Sequence, residues 1–297
     1  MKVSVQKLPR STVKLTITVG VEEIKASTDK VLAKLVKDAE ISGFRKGHAP
    51  ESLVKEKIDP GKLKSQVISD VINTYYPQAI KDQNIVPIIS PRIELESDDL
   101  DRDLVFTAET ATRPQIVVGD YKKAVDEAYS KKQLATKDSK IVEGEHNHIH
   151  MQPNDIVDAI LSVTTVEIPN MIIEEEVSRM LSRLVQQLQP LNLQMDAYLR
   201  SINKTAETLK AEYADMAQKN VAGEMALMEL VTREAIEVTD KEIEETVNAA
   251  GDANLKDRYT ENPLEKAYIK SIISKNKLLW KLMSELEEKE AKEHDQK

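Results

Sequence analysis

Two short stretches of this sequence hold side chains whose types and spacing could do chemistry. The first is Glu145-His146-Asn147-His148-Ile149-His150. In an extended segment His146, His148 and His150 share one face, and imidazoles so arranged suit Zn, Cu or Ni. The plainer reading is a polar connecting segment rich in histidine, because no partner residues are visible that would orient the rings. No metal and no cofactor is expected, and these histidines are the candidates if one binds. The second stretch is Gly43-Phe44-Arg45-Lys46-Gly47-His48-Ala49-Pro50. Its glycines permit backbone angles closed to other residues, and Pro50 fixes the exit. The tip carries Phe44, Arg45 and Lys46. An exposed aromatic beside cations is a docking anchor, and a guanidinium fork matches phosphates or carboxylates. A plain connection between two helices is the alternative. The chain has no Cys, which excludes disulfides, thiolate nucleophiles and Cys-ligated metals and fits a reducing cytoplasm. A Gly-rich phosphate loop, H-E-x-x-H and G-x-S-x-G are all missing, so no enzymatic site is expected.

These stretches must be positioned by regular elements, and the periodicity changes along the chain. The length of 297 residues suggests two domains, at about 150 residues each. In the first part, Val13, Leu15, Ile17 and Val19 alternate with Thr12, Lys14, Thr16 and Thr18, which is a half-buried strand. Pro9-Arg10-Ser11 makes a turn back to Val3, Val5 and Leu8, giving an opening hairpin. Val21 to Ala39 follows helical spacing and ends near Gly43. Pro50 starts a second helix, and Leu63 to Ile80 continues helically despite Pro77. Ile85–Ile89, Ile93–Leu95 and Leu104–Ala108 are strand-like. The order β-β-α-α-α-β-β is an α+β arrangement over residues 1–112. Residues 113–150 are polar and read as a linker with one helix at 120–133.

From 151 to 297 the pattern is helical almost throughout. Ile173, Val177, Met180, Leu181, Leu184, Val185 and Leu188 form one apolar stripe. Leu209 to Ile236 marks a second helix, Asp240 to Val247 a short third, and Leu264 to Leu286 a long last one. The helices are long and not very apolar, which suits an extended all-α domain with arm-like helices. Methionine adapts to irregular apolar partners, so Met180, Met216, Met225 and Met228 are candidates for a tolerant binding surface; ordinary core filling is the alternative. No apolar run approaches the roughly 20 residues that a membrane span needs. The start, Met1-Lys2-Val3-Ser4-Val5-Gln6-Lys7, has no apolar core of a secretory signal.

The net charge of -9 is unevenly placed. Counted by segment, it is 0 over 1–112, +1 over 113–150 and -10 over 151–297. Within the neutral first part, residues 30–64 carry nine basic and five acidic side chains. The average argues against wholesale nucleic-acid binding, yet this local excess around Arg45 and Lys46 suits a phosphate-rich surface.

The loop matches a known pattern. Gly43-Phe44-Arg45-Lys46-Gly47-His48-Ala49-Pro50 resembles the G-F-R-x-G-x-x-P signature of the trigger factors, bacterial ribosome-associated chaperones, with His48 where that family commonly has Lys. Val166-Glu167-Ile168-Pro169-Asn170-Met171-Ile172-Ile173 resembles the family's entry into its C-terminal helical domain. The resemblance implies that residues 43–50 dock on the large ribosomal subunit, against an exit-tunnel protein and rRNA. It implies that the helical part cradles nascent or unfolded polypeptides without ATP. It leaves open a homodimer, since a docking face can double as a dimer face, and a ribosome-independent holdase or assembly adaptor with the same fold. The family's usual FKBP-like prolyl isomerase domain does not fit in the 38 residues of 113–150, because such a domain needs about 100 residues to bury a core.

Overall fold

The computed structural model describes residues 1–39, 44–45, 53, 57–138, 151–250 and 259–295. The chain divides into two compact units. The first comprises Met1–Pro114 together with Pro169–Ile172, and the second Gln115–Ile168 with Ile173–Lys297.

The first unit is built on a four-stranded antiparallel sheet of order β1-β2-β4-β3. Its strands are β1 (Lys2–Leu8), β2 (Thr12–Val19), β3 (Arg92–Leu95) and β4 (Leu104–Ala111). The alternation in β2 sends Val13, Leu15, Ile17 and Val19 to one face, where all are buried. The register sets Leu15 opposite Ala108 and Ile17 opposite Phe106, so two strands build one apolar floor. Helices α1 (Val21–Asp38) and α2 (Pro60–Asp82) cover it with Ile24, Val31, Val67, Val71 and Ala79. Glu23 starts α1 by accepting the Gly20 amide at 2.7 Å. The ammonium of Met1, 2.6 Å away, is the main reason its carboxyl titrates below the usual value. Asp59 caps α2 through the Gly61 amide, with Pro60 at the first helical position. Pro77 sits inside α2 on its exposed side.

Two sequence expectations change here. Ile85–Ile89 is not a strand: Pro87 has no N–H to give a ladder, and only a single bridge to Thr112 forms. The helix expected from Pro50 falls largely outside the described residues.

The second unit is helical, with one small ribbon that the sequence reading missed. Strand β5 (Ile116–Val118) pairs antiparallel with β6 (Thr164–Val166). The helices are α3 (Tyr121–Asp138), α4 (Pro153–Ser162), α5 (Asn170–Leu188), α6 (Met195–Ser201), α7 (Ala206–Arg233), α8 (Asp240–Ala250) and α9 (Pro263–Asp295). The helix expected at 120–133 is α3, and it belongs to the second unit together with the rest of Gln115–Ile168. Tyr121 and Val125 of α3 are buried in a core with Ile156, Ile160, Leu227, Leu230, Leu278, Leu282 and Leu286. Residues 139–150 lie outside the described residues. A second cluster joins Leu184 and Leu188 of α5 to Leu199 of α6 and Leu209 of α7. A third joins Ile243 and Val247 of α8 to Ile269 of α9.

Polar contacts hold α9 against its neighbours at several heights. Lys266 meets Asp240 at 2.8 Å, Lys277 meets Glu242 at 2.6 Å, and Lys289 meets Asp126 at 2.7 Å. Lys275 pairs with Glu224 of α7. The most enclosed of these contacts is at Glu234, just past α7. There the helix ends in a pair of backbone hydrogen bonds: the Ala235 amide donates to the Thr232 carbonyl at 3.2 Å and the Ile236 amide to the Val231 carbonyl at 3.0 Å, with Ala235 at φ 48°. This is the Schellman arrangement, usually made by glycine. It leaves Glu234 facing two partners. Lys281 donates to one oxygen at 2.6 Å, and the Tyr121 hydroxyl donates to the other at 2.5 Å. Arg233 lies over the Tyr121 ring, 5.6 Å from its centre, and donates to the Val118 carbonyl at 3.3 Å.

The Lys281 ammonium first, and the Tyr121 hydroxyl second, hold the Glu234 carboxyl down to about 2, from an ordinary 4.5. A lowered folded value means that the stabilisation is complete above about 4.5 and is lost as pH falls towards about 2. Glu234→Gln is expected to lower the unfolding free energy at pH 7 by about 1–3 kcal/mol. Urea unfolding checks this, and the gap to the unmodified protein should close across that acid range.

Candidate functional site

The sequence singled out the loop from Gly43 to Pro50. Within it the structure describes Phe44 and Arg45, and both are exposed, Phe44 by 45%. Gly43, Lys46, Gly47, His48 and Pro50 lie outside the described residues. The contrast with the other phenylalanine is informative. Phe106 is 0% exposed at the centre of the sheet. A chain with only two Phe thus spends one on its core and leaves the other in water beside an arginine. Phe44 and Arg45 fall in the stretch between α1 and α2. The basic surroundings are partly neutralised by the fold: Lys30 is bonded to Asp70 at 2.8 Å and Lys64 to Asp98 at 2.6 Å. No ion pair involves Lys34 or Lys37 among the described residues.

The four methionine candidates separate in the second unit. Met216, on α7, is 51% exposed. Met180 on α5, and Met225 and Met228 on α7, are half-buried. A groove of 410 Å³ lies between the β6 end and α7, lined by Leu161, Thr164, Val166, Ile168 and Ala222 together with Asp215, Gln218 and Lys219. A second groove, of 680 Å³, runs between α3 and α4 over Ala124, Ala128, Met151 and Ala159. Its edge charges are largely spent within the fold, as in the 2.5 Å pair of Lys132 with Asp155. Both grooves offer a ligand a mixed surface, with apolar walls beside charged side chains such as Lys123, Glu127, Asp215 and Lys219.

Sequence reading missed the uncovered residues of α9. Leu264 is 80% exposed, Tyr268 63% and Trp280, the only tryptophan, 66%. The signal was available for Trp280. Leu278, Leu282 and Leu286, spaced by four, define the buried face, and residue 280 falls between two of them on the far side of the helix. Val185 and Leu191 are likewise exposed around the end of α5. These exposed apolar side chains lie on several helices of the second unit. His146, His148 and His150 lie outside the described residues, and among the described residues no cluster of His, Asp or Glu could hold a metal ion.

The comparisons with known proteins bear on both regions. The family model for the bacterial trigger factor protein matches residues 1–143, and the model for the trigger factor C-terminus matches residues 127–284. The chain belongs to the trigger factor family. The two matched spans overlap over 127–143, so this chain joins the N- and C-terminal parts with no isomerase domain between them. The trigger factors of Corynebacterium diphtheriae and Corynebacterium jeikeium are each 36% identical to it over 121 residues. That stretch is 41% of this chain, 27% of the first protein and 23% of the second. The trigger factor of Clostridium kluyveri is 34% identical over 122 residues, 41% of this chain and 28% of that protein. The matched stretch thus spans about a quarter of the length of these relatives. A solved structure reported as "Promiscuous Substrate Recognition in Folding and Assembly Activities of the Trigger Factor Chaperone" shares the fold, with a TM-score of 0.63. It is 14% identical and the superposition covers 96% of this chain and 100% of that one.

The two phenylalanines of this trigger factor family member should respond oppositely to truncation. Phe44→Ala is expected to change stability by less than about 0.5 kcal/mol, and Phe106→Ala to lower it by about 3–5 kcal/mol. Denaturant unfolding of both variants measures the difference.

Proposed function

We propose that this chain is an ATP-independent chaperone of the cytoplasm that docks beside the ribosomal polypeptide exit and shields nascent or unfolded chains. The observation that carries the reading is the pair of exposed side chains Phe44 and Arg45 in a family-signature loop. Membership in the trigger factor family supports it. Phe44 would fill an apolar pocket on a protein of the large subunit, while Arg45 and Lys46 would meet carboxylate or rRNA phosphate. Phosphate contacts of this kind release counterions, so docking would weaken as salt rises.

The second unit would do the shielding. Its binding surface is read as the exposed apolar side chains Met216, Leu264, Tyr268 and Trp280. Each contact is small, and many weak apolar contacts favour promiscuous, reversible capture over tight recognition. Binding to unfolded chains but not folded ones lowers the free unfolded population by mass action, with no nucleotide required. The net charge of -10 over 151–297 favours the solubility of such a surface.

Replacing Phe44, Arg45 and Lys46 together by alanine is expected to remove cosedimentation with ribosomes and to leave suppression of aggregation of a denatured client unchanged. Trp280→Ala should do the reverse, weakening suppression about two- to tenfold while ribosome binding persists. If the unmodified chain suppresses aggregation but never sediments with ribosomes, the ribosome-independent holdase replaces the docking reading. In a refolding reaction limited by proline isomerisation, this chain is expected to leave the slow phase at its uncatalysed rate of tens to hundreds of seconds; strong acceleration would contradict the non-enzymatic reading.

A further inference from the structure

The tetrapeptide Pro169–Ile172 belongs to the first unit although more than fifty residues of the second precede it. The contact that fixes it is specific. The Arg10 guanidinium donates to the Asn170 side-chain carbonyl at 2.5 Å, across 160 residues of sequence. Met171 is buried to 7% exposure, and the Ile172 amide turns back to the Pro169 carbonyl at 3.1 Å.

Arg10 occupies an unusual place. The β1–β2 turn runs Pro9-Arg10-Ser11-Thr12, closed by the Thr12 amide to the Pro9 carbonyl at 3.4 Å. Both central residues have positive φ, 56° at Arg10 and 52° at Ser11. That is the signature of a type I′ turn, which normally asks for Asn-Gly. Neither Arg nor Ser adopts this conformation readily. The fold holds both from outside. The Ser11 carbonyl accepts the Thr112 amide at 2.9 Å and the Thr112 hydroxyl at 3.1 Å, and Arg10 is held by Asn170. An Asn-Gly pair would make the turn more easily and would lose the guanidinium.

We propose that the β1–β2 turn is a docking site for an internal strap, residues 169–172, and that Arg10 is kept in a disfavoured conformation because it anchors that strap. The partner this site fits is a short Pro-Asn-apolar-apolar segment, supplied here by the chain itself. The first unit is then completed only after residue 172 has been synthesised. The strap also fixes the first turn of α5 before that helix continues into the second unit.

Hydrogen exchange on the full chain tests this. Arg10→Ala and Asn170→Ala are each expected to speed exchange of the amides at Thr112 and at residues 171–172 by about tenfold, as expected for loss of a charge-assisted bond in a locally opening segment. The double variant should exchange about as fast as either single one, because both remove one interaction. A double effect equal to the product of the two would show that the residues act separately and would overturn the anchor. A combined Arg10→Asn, Ser11→Gly variant separates the strap from turn stability. It should keep or raise protection in the β1–β2 ladder and lose it at 171–172. Rising protection at both would overturn the proposal, as would unchanged exchange at 171–172 in Arg10→Ala.

Discussion

The helical unit closes at one carboxylate. Glu234 receives the Tyr121 hydroxyl and the Lys281 ammonium, and so joins the start of α3, the end of α7 and the middle of α9. Each of these elements brings part of the core beneath it: Val125 from α3, Leu227 and Leu230 from α7, Leu278 and Leu282 from α9. Exposed ion pairs contribute little to stability as a rule. This one differs because Tyr121 is buried and its hydroxyl needs a partner there. The same contact decides which side of α9 faces inward, and therefore which residues are left outside. Trp280 is in water because Lys281 and Leu278 have fixed the rotation of the helix.

The core is made almost wholly from aliphatic residues, with Phe106 and Tyr121 as its main aromatic members. That division suits the proposed work. Aromatic groups supply much contact area at low entropy cost, and here Phe44, Tyr268 and Trp280 sit where a partner can reach them. The two units divide the labour by charge as well. A neutral first unit with a basic stretch around the loop can approach a phosphate-rich surface, and an acidic second unit can carry uncovered apolar groups and stay dispersed.

Strong periodicity made much of this legible in the sequence. Four alternating apolar residues placed β2 and its buried face, and stripes of spacing three and four placed α5, α7, α8 and α9. Short elements escaped for a physical reason: β5 and β6 have three residues each, too few to show a period. Helix α3 was legible as a helix, but its packing was not, because its polar surface hides two anchors, Tyr121 and Val125, whose partners lie in α4, α7 and α9. Ile85–Ile89 has strand composition, and Pro87 vetoes the ladder. The exposure of Phe44 and Arg45 was legible through residue type, since an aromatic beside cations between glycines has little use in a core. The α9 surface was not, because exposure follows from how a helix is rotated, and distant contacts such as the one at Glu234 set that rotation.

The most direct test of the account is site-specific photocrosslinking on translating ribosomes, with a photoreactive side chain placed at position 44 in one preparation and at position 280 in another. The account predicts that position 44 crosslinks to a component of the large ribosomal subunit and position 280 to the emerging chain. Crosslinks from position 280 to ribosomal components alone, or none from position 44 to the ribosome, would contradict it.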